Sequence, residues 1–304
     1  MQSSRDPALQ HAVTEVMKAV AGEQIMPRWK CLLSSEIAEK SPGDLVTIAD
    51  HESEGRLTEA LERLIPGARV IGEESVSSNP LLLNDIGKGC VWLVDPLDGT
   101  GNFVAGSPHF AVMIALVQDG VVEAGWVFQP AHGCFYRAEK GRGSWCNEVP
   151  VIAQHSSHPG LTGAFPTRYA DDAQQLLIAR MREHVAKTLP GLLCAGVDYT
   201  RCIDGTQDFA VFWRSLPWDH APGALILTEA GGTVTDRHGR PLRFNQPQPL
   251  AAGGAASEPS WVLLDVGRRH QYTAAPSTMS SGTTWPTSTL GAAETASRPQ
   301  PPRG

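Results

Sequence analysis

The chain has 304 residues, 41% of them hydrophobic, and a formal net charge of −7. This length fits one large domain or two smaller ones, and the apolar content is sufficient for a substantial core. The acidic balance argues against a sequence-independent binder of nucleic-acid polymers, which needs a basic surface. A small anionic substrate remains compatible with it, because a bound metal ion reverses the local potential.

The cysteines and the N-terminal segment indicate the compartment. Six cysteines are scattered along the chain without CxxC spacing, so we expect reduced thiols in a cytoplasmic protein. The N-terminal segment contains acidic and basic residues throughout and lacks the apolar core of a signal peptide. No apolar run approaches the ~20 residues of a membrane span, so we expect no membrane association.

The first part of the chain predicts helices at its start and a β-meander further on. Apolar residues at helical spacing predict a helix over residues 7–24 and a second one after Asp50. A short strand is expected at Val70 and Ile71, and the segment 77–89 is expected to be a loop, with a short helical turn as the alternative. An Asp-Gly pair between two β-rich runs then predicts a hairpin, which a third strand over 134–138 extends. This order lacks strict strand–helix alternation, and neither GxGxxG nor Walker A motifs occur.

A change in composition near residues 147–160 separates two regions. We therefore divide the chain into residues 1–150, residues 151–270 and a Pro/Ser/Thr-rich tail at 271–304 that is expected to be disordered. The second region predicts a helix over 171–188, a strand over 192–195, a helix or turn over 198–205, a strand over 209–214, a helix starting near Asp219, two short strands within 233–244 and a last helix over 258–270.

The most informative stretch follows the apolar run that begins at residue 91. Pro96 cannot donate a hydrogen bond to a neighbouring strand, so we predict that the strand ends at Asp95. Asp95 and Asp98 then share a tight turn and offer oxygen ligands for a divalent cation. Gly99 and Thr100 follow with backbone amides suited to an oxyanion. The stretch is a candidate metal and phosphate site.

Two other interpretations of this stretch are an ordinary turn and an EF-hand loop. Asp-Pro and Asp-Gly pairs also form ordinary turns in which Asp bonds its own backbone, and the local pattern leaves that alternative open. An EF-hand loop needs an acidic ligand at its third position and Glu at its twelfth. Leu97 and Gly106 stand at those positions, so an EF-hand is excluded.

Motifs elsewhere in the chain combine with this stretch. The set consists of Asp44-Leu45-Val46-Thr47 with Asp50, Gly72-Glu73-Glu74-Ser75, Asp95-Pro96-Leu97-Asp98-Gly99-Thr100 with Asn102-Phe103, and Trp218-Asp219 with Glu229-Ala230-Gly231-Gly232. In this order and spacing, the chain resembles the inositol monophosphatase family of Mg²⁺-dependent, lithium-sensitive phosphatases. The resemblance extends from the first helix to about residue 270. It implies an α/β (α+β) fold, the layered αβαβα sandwich of the inositol monophosphatase and fructose-1,6-bisphosphatase type, assembled as a homodimer.

The resemblance also implies roles for individual residues. Metal ligands for two or three Mg²⁺ ions would be Glu73, Asp95, the backbone carbonyl of Leu97, Asp98 and Asp219, with Asp95 bridging two ions. Catalytic residues that orient and deprotonate the attacking water would be Asp50 and Thr100, with Glu73 nearby. The backbone amides of Gly99 and Thr100 would bind the phosphate.

The substrate-side residues depart from the family pattern. Inositol-specific members carry an acidic residue shortly before the Trp-Asp pair, whereas this chain has Phe-Trp-Arg-Ser at 212–215. We take Asp98, Asp198 and Arg214 as candidate substrate contacts. Arg214 would favour a substrate with a second anionic group, or it is an ordinary surface charge. Lys40 matches the family's upstream lysine only approximately, and His220 is left out of the site.

These observations favour Mg²⁺-dependent hydrolysis of a small phosphate monoester by an activated water, with myo-inositol 1-phosphate as the default substrate. Alternatives within the superfamily are 3′-phosphoadenosine 5′-phosphate, fructose 1,6-bisphosphate and histidinol phosphate. A non-catalytic relative that binds a metal or a partner is the alternative from a different class. A catalytic protein would bind a small phosphorylated metabolite as its substrate, whereas a non-catalytic relative would have no substrate.

Overall fold

A computed structural model of the chain describes residues 6–236, 240–242, 244 and the backbone of 262–265. The predicted tail at 271–304 lies outside the described residues, as does most of the predicted helix at 258–270. No helix in the described ranges combines the length and apolar character needed to cross a bilayer.

Side-chain caps explain where three of the helices begin. Asp6 accepts a hydrogen bond from the Ala8 amide and caps α1, while Thr47 caps α2 and Asp171 caps α5. The first helix continues through a π-helical turn at Ala21–Ile25. The α-helices are α1 (Pro7–Val20), α2 (Ile48–Leu64), α3 (Glu73–Ser78), α4 (Thr100–Val104), α5 (Asp172–Arg182), α6 (Ala195–Ile203) and α7 (Pro217–Glu229).

The strands form a hairpin and two larger sheets. They are β1 (Ile37–Ser41), β2 (Asp44–Thr47), β3 (Arg69–Gly72), β4 (Cys90–Asp98), β5 (Ala111–Gln118), β6 (Val121–Gln129), β7 (Cys134–Glu139), β8 (Gly143–Cys146), β9 (Val149–Val151), β10 (Thr162–Ala164), β11 (Lys187–Leu189), β12 (Phe209–Phe212), β13 (Thr233–Asp236) and β14 (Val262–Asp265). Strands β3 to β9 follow one another in a seven-stranded sheet, antiparallel after the β3–β4 pair. The second sheet has the order β11-β10-β12-β14-β13.

Apolar contacts place these elements in alternating layers. α1 and α2 bury Val13, Met17 and Leu61 against one face of the seven-stranded sheet, which contributes Trp92 and Trp126. The opposite face packs on α6 and α7, which also cover the inner face of the five-stranded sheet. On its outer face, that second sheet packs against α5. The predicted αβαβα sandwich is therefore confirmed.

Three predictions for the second region are wrong in the bounds or in the type of the element. The predicted helix at 171–188 ends at Arg182, because Lys187–Leu189 pairs with β10 as a parallel strand. Residues 192–195 do not form a strand. Leu193 adopts a left-handed backbone conformation (φ 53°), and α6 begins at Ala195. Of the predicted helix at 258–270, the described part is a strand, β14, held between β12 and β13 by antiparallel pairing.

The contact between β6 and α7 depends on Gly125. A Cβ at this position would lie 2.9 Å from the backbone oxygen of Pro222 and 3.0 Å from its Cα. We expect Gly125→Ala to destabilise the protein by about 1–3 kcal/mol through overpacking. The midpoint of urea denaturation measures this change.

Gly55 provides the matched control, because it lies in α2 and a Cβ there meets no atom within 4 Å. Gly55→Ala should raise the free energy of unfolding by roughly 0.5–1 kcal/mol through helix propensity. Equal effects from the two substitutions would show that the β6–α7 contact is not tightly packed.

Candidate metal centre

The end of β4 carries two of the predicted acids. Contrary to the prediction, the strand does not stop at Asp95 but pairs with β5 again at Asp98. Between these two acids β4 contains one residue more than the facing part of β5, a β-bulge that accommodates Pro96 without a ladder hydrogen bond. The bulge reverses the side-chain alternation, so that Leu97 packs with Val94 in the core beneath α1 and α2. Asp95 and Asp98 consequently line the same cavity.

Asp98 is anchored by the start of α6. Its Oδ2 accepts hydrogen bonds from the Gly196 amide at 2.7 Å and from Cys194 Sγ at 3.1 Å. Burial raises the pKa of Asp98 to about 6, although these hydrogen bonds oppose the shift. Asp98 is thus held at the cavity wall before any ligand arrives. Sequence reasoning missed Cys194, which belongs to no recognisable motif.

Glu73 is the first residue of α3, and a neighbouring helix fixes that helix start. The carboxylate of Glu54 accepts hydrogen bonds from the amides of Glu74 and Ser75, both at 2.8 Å. A Cβ at Gly72 would lie 2.2 Å from Cδ of Glu54, so only glycine allows this approach. Glu54 therefore positions Glu73 through the backbone, a role that the sequence pattern did not reveal.

Lys40 reaches the site from the β1–β2 hairpin. Its Nζ lies 2.7 Å from Oε1 of Glu73 and 3.0 Å from Oε1 of Glu74. Although burial disfavours the charged form, these carboxylates raise the pKa of Lys40 above its usual range. Burial and repulsion by Glu73 raise the pKa of Glu74 to about 7. The approximate sequence match of Lys40 was therefore a useful signal, because the hairpin places its ammonium group at the acids.

Glu73, Asp95 and Asp219 form a compact group of acids. Asp219 lies in the first turn of α7, which Pro217 begins. Each of the three residues offers a carboxylate oxygen, and these atoms lie within 4.8 Å of one another. Burial raises the pKa of Asp95 well above its usual range, and repulsion by the other two acids and Asp98 adds to this. Carboxylate oxygens without cysteine or histidine fit a hard cation such as Mg²⁺.

Asp50 and Thr100 form a hydrogen-bonded pair beside this group. Thr100 Oγ1 lies 3.0 Å from Oδ1 of Asp50 and 3.0 Å from the carbonyl oxygen of Leu97. The other oxygen of Asp50 accepts bonds from the amide and hydroxyl of Thr47, at 2.8 and 2.6 Å. Burial raises the pKa of Asp50 to about 6, although the bonds from Thr47 oppose the shift. The pair links α2 to the end of β4.

The residue that precedes α4 must be glycine because of its backbone conformation and its close neighbours. Gly99 has φ 83°, and a Cβ there would lie 2.8 Å from the carbonyl oxygen of His109. Asn102 Nδ2 donates to that same oxygen at 2.8 Å and to the carbonyl oxygen of Leu192 at 2.6 Å. This network fixes the backbone of Gly99 and Thr100 at the cavity wall.

A cavity of about 340 Å³ connects the acids to a cationic wall. Arg168 and Tyr169, which follow β10 in the chain, and Arg214, which follows β12, line this cavity together with the acids. Asp198, by contrast, is fully buried within α6 and is not part of the lining. Its oxygen Oδ1 lies 3.7 Å from Nη1 of Arg201. The geometry thus brings Arg214 to the cavity and leaves Asp198 outside it.

His220 lines the cavity but is engaged in structural contacts. Its Nε2 lies 3.0 Å from the carbonyl oxygen of Arg214, and its Nδ1 lies 3.1 Å from the hydroxyl of Tyr199. Burial lowers the pKa of His220 to about 4. A neutral imidazole between these partners connects α7 to α6 and to the segment after β12.

Known proteins resemble this chain in sequence and in fold. The model of the Inositol monophosphatase family matches residues 6–270. Inositol-1-monophosphatase of Bacillus subtilis is 31% identical over 222 residues, covering 71% of this chain and 81% of the relative. Nus factor SuhB of Pseudomonas aeruginosa is 34% identical over 227 residues, with the same coverage of 71% and 81%. A solved IMPase of Thermotoga maritima has a TM-score of 0.69 and 27% identity, covering 86% of this chain and 93% of its own. The chain belongs to the inositol monophosphatase family.

Proposed function

We propose that the protein is a Mg²⁺-dependent phosphatase that hydrolyses a small phosphate monoester. The observation that carries this proposal is the group formed by Glu73, Asp95 and Asp219, whose oxygens lie within 4.8 Å of one another. Acids this close repel one another, and Asp95 among them is buried, so a bound cation would relieve the repulsion. Thr100 and Gly99 line the same cavity, which brings a hydroxyl group and backbone amides beside the proposed metal.

The residues that would hold two or three Mg²⁺ ions are Glu73, Asp95, Asp98, Asp219 and the carbonyl oxygen of Leu97. When bound, Mg²⁺ lowers the pKa of a coordinated water and neutralises charge that develops on the phosphate oxygens. The protein supplies the fixed ligands from separate elements. Because β4, α3 and α7 are each held by packing and hydrogen bonds, little reorganisation is needed on binding.

Asp50 and Thr100 would position and deprotonate the attacking water. Thr100 donates its hydroxyl proton to Asp50 or to the carbonyl oxygen of Leu97, so its remaining lone pairs can accept a hydrogen bond from water. A carboxylate with a pKa of about 6 is suited to general base catalysis near neutral pH. The amides of Gly99 and Thr100 would bind the phosphate.

The default substrate remains myo-inositol 1-phosphate, and Asp98 and Arg214 are the proposed contacts to the alcohol portion. Asp98 keeps a carboxylate at the cavity wall, where it can accept hydrogen bonds from hydroxyl groups. The burial of Asp198 gives no support to a direct contact, and we do not include it. The alternatives 3′-phosphoadenosine 5′-phosphate, fructose 1,6-bisphosphate and histidinol phosphate share the phosphate ester and differ in the remaining groups.

A partner-binding function without catalysis is the second candidate. The observation that favours it is the 34% identity to a relative named Nus factor SuhB. The complete set of acids favours catalysis, because a protein that only binds a partner has no need for a cluster of mutually repelling carboxylates. Phosphate release by the purified chain would distinguish the two functions.

We also propose a cytoplasmic homodimer. All six cysteines are free thiols, which supports a reducing compartment. The dimer is supported by family membership, and sedimentation velocity of the purified protein tests it directly.

One prediction of the proposed function concerns metal binding. Asp95→Asn should raise the melting temperature in EDTA, since it removes a repelled buried charge; each kcal/mol gained corresponds to about 2–4 °C. Mg²⁺ should stabilise the unsubstituted protein by about 2.7 kcal/mol at 100 times its Kd, and the variant much less. Thermal denaturation with and without Mg²⁺ measures both effects.

The control for this measurement is Asp172→Asn, which removes an exposed carboxylate at the start of α5. It should leave the response to Mg²⁺ unchanged. If Asp95→Asn responds to Mg²⁺ as strongly as this control, the proposed metal centre is wrong.

Another prediction of the proposed function concerns catalysis. In the presence of Mg²⁺, the protein should release phosphate from at least one of the four proposed esters, and EDTA should abolish this release. Thr100→Val removes the hydroxyl that bonds Asp50 and should lower kcat by about 10²–10⁴. Phosphate release at saturating substrate measures the loss.

Thr100→Ser keeps the hydroxyl group and is the matched control for Thr100→Val. It should retain most of the activity. Equal losses in the two variants would indicate that the threonine methyl group matters and that the Asp50–Thr100 pair does not move a proton.

A further inference from the structure

Two guanidinium groups meet one aromatic ring on the wall of the cavity. The guanidinium carbon of Arg214 lies 4.2 Å from the centroid of the Tyr169 ring, and that of Arg168 lies 5.3 Å from it. All three residues line the cavity that also contains the acids. Cation–π contacts of this kind hold long cationic side chains in place.

The topology explains why these residues come together. β10 and β12 are adjacent parallel strands, so the segments that follow them leave the sheet at the same edge. Arg168 and Tyr169 follow β10, and Arg214 follows β12. Ligands of α/β sheets commonly bind outside the carboxyl ends of parallel strands. The cluster is therefore held by the sheet rather than by a single loop.

The charge of this cluster is only partly balanced within the protein. Arg214 Nη1 lies 4.0 Å from the Asp44 carboxylate, the outer limit of an ion pair, and its charge also interacts with Asp219. Arg168 lies beside Gly43 in the β1–β2 turn, and no salt bridge to it is found among the described residues. Lys40, the other cation near the acids, is already paired with Glu73 and Glu74.

We propose that Arg168, Tyr169 and Arg214 form a subsite for a second anionic group of the substrate. This inference rests on the proposed phosphatase function and narrows its substrate class. The preferred substrate carries a phosphate or carboxylate in addition to the phosphate that is removed. Two guanidinium groups can bind such an oxyanion through paired, charge-assisted hydrogen bonds, whereas a neutral polyol leaves the charge of Arg168 facing water.

Matched pairs of substrates test the subsite with Mg²⁺ present. Fructose 1,6-bisphosphate and fructose 1-phosphate differ by one phosphate, and 3-phosphoglycerate and glycerol 3-phosphate differ by a carboxylate in place of a hydroxymethyl group. We expect kcat/KM to be at least about tenfold higher for one or both doubly anionic members. The pair that shows the difference identifies the second group as phosphate or carboxylate.

Charge-removing variants assign the effect to residues. Arg214→Gln and Arg168→Gln should each lower the ratio of kcat/KM between the doubly and singly anionic members by about tenfold. Arg214→Lys keeps the charge but loses the planar stacking, so it should give a smaller decrease. Arg182→Gln, at an exposed position near the end of α5, is the control and should leave the ratio unchanged.

Several outcomes would overturn the proposal. Equal losses on both members of a pair in Arg214→Gln would show that this residue binds the phosphate that is removed. Turnover of the singly anionic esters without any preference for the doubly anionic ones would refute the subsite and leave the phosphatase function intact. If no ester in either pair or in the panel above is hydrolysed, the proposed function itself fails.

Discussion

Electrostatic repulsion among Glu73, Asp95 and Asp219 is the constraint around which the molecule is arranged. Carboxylates this close in a buried site destabilise the fold unless cations compensate them. The protein supplies part of that compensation itself, through Lys40 at Glu73 and through Arg214 near Asp219. A site with this balance retains a strong attraction for further cations, which is the property that metal-assisted phosphate chemistry requires.

The layered fold keeps these charges together against their repulsion. Each acid lies at the end of an element whose other contacts are extensive: β4 between β3 and β5 in the larger sheet, α3 fixed by Glu54, and α7 packed between the two sheets. The hydrogen bond from the Gly196 amide then orients the neighbouring carboxylate of Asp98. Burial of the apolar core stabilises the fold and offsets the destabilisation caused by the clustered acids, as is common at functional sites.

Much of the candidate site could be anticipated from the sequence because its residues stand in short motifs with local geometry. Asp95, Asp98 and Thr100 share one strand end, and Asp50 belongs to a capping box that the sequence displays. The failures depend on distant contacts. β14 is a strand only because β12 and β13 flank it, and Arg168 and Tyr169 join the cavity only through pairing of β10 with β12. The sequence predicts a strand end at Asp95, before Pro96, because a bulge leaves no sequence signature.

The bulge in β4 has a consequence for how this segment tolerates evolutionary change. In most loops, the gain or loss of a residue alters only length. Here Asp95 and Asp98 are three residues apart, and their carboxylates share a face only because the bulge adds one residue to β4. If the strand paired regularly without a change in length, one carboxylate would turn into the apolar layer beneath α1 and α2. Substitutions that keep the bulge are therefore compatible with the site, whereas any change in the length of the segment needs a matching change in its pairing with β5.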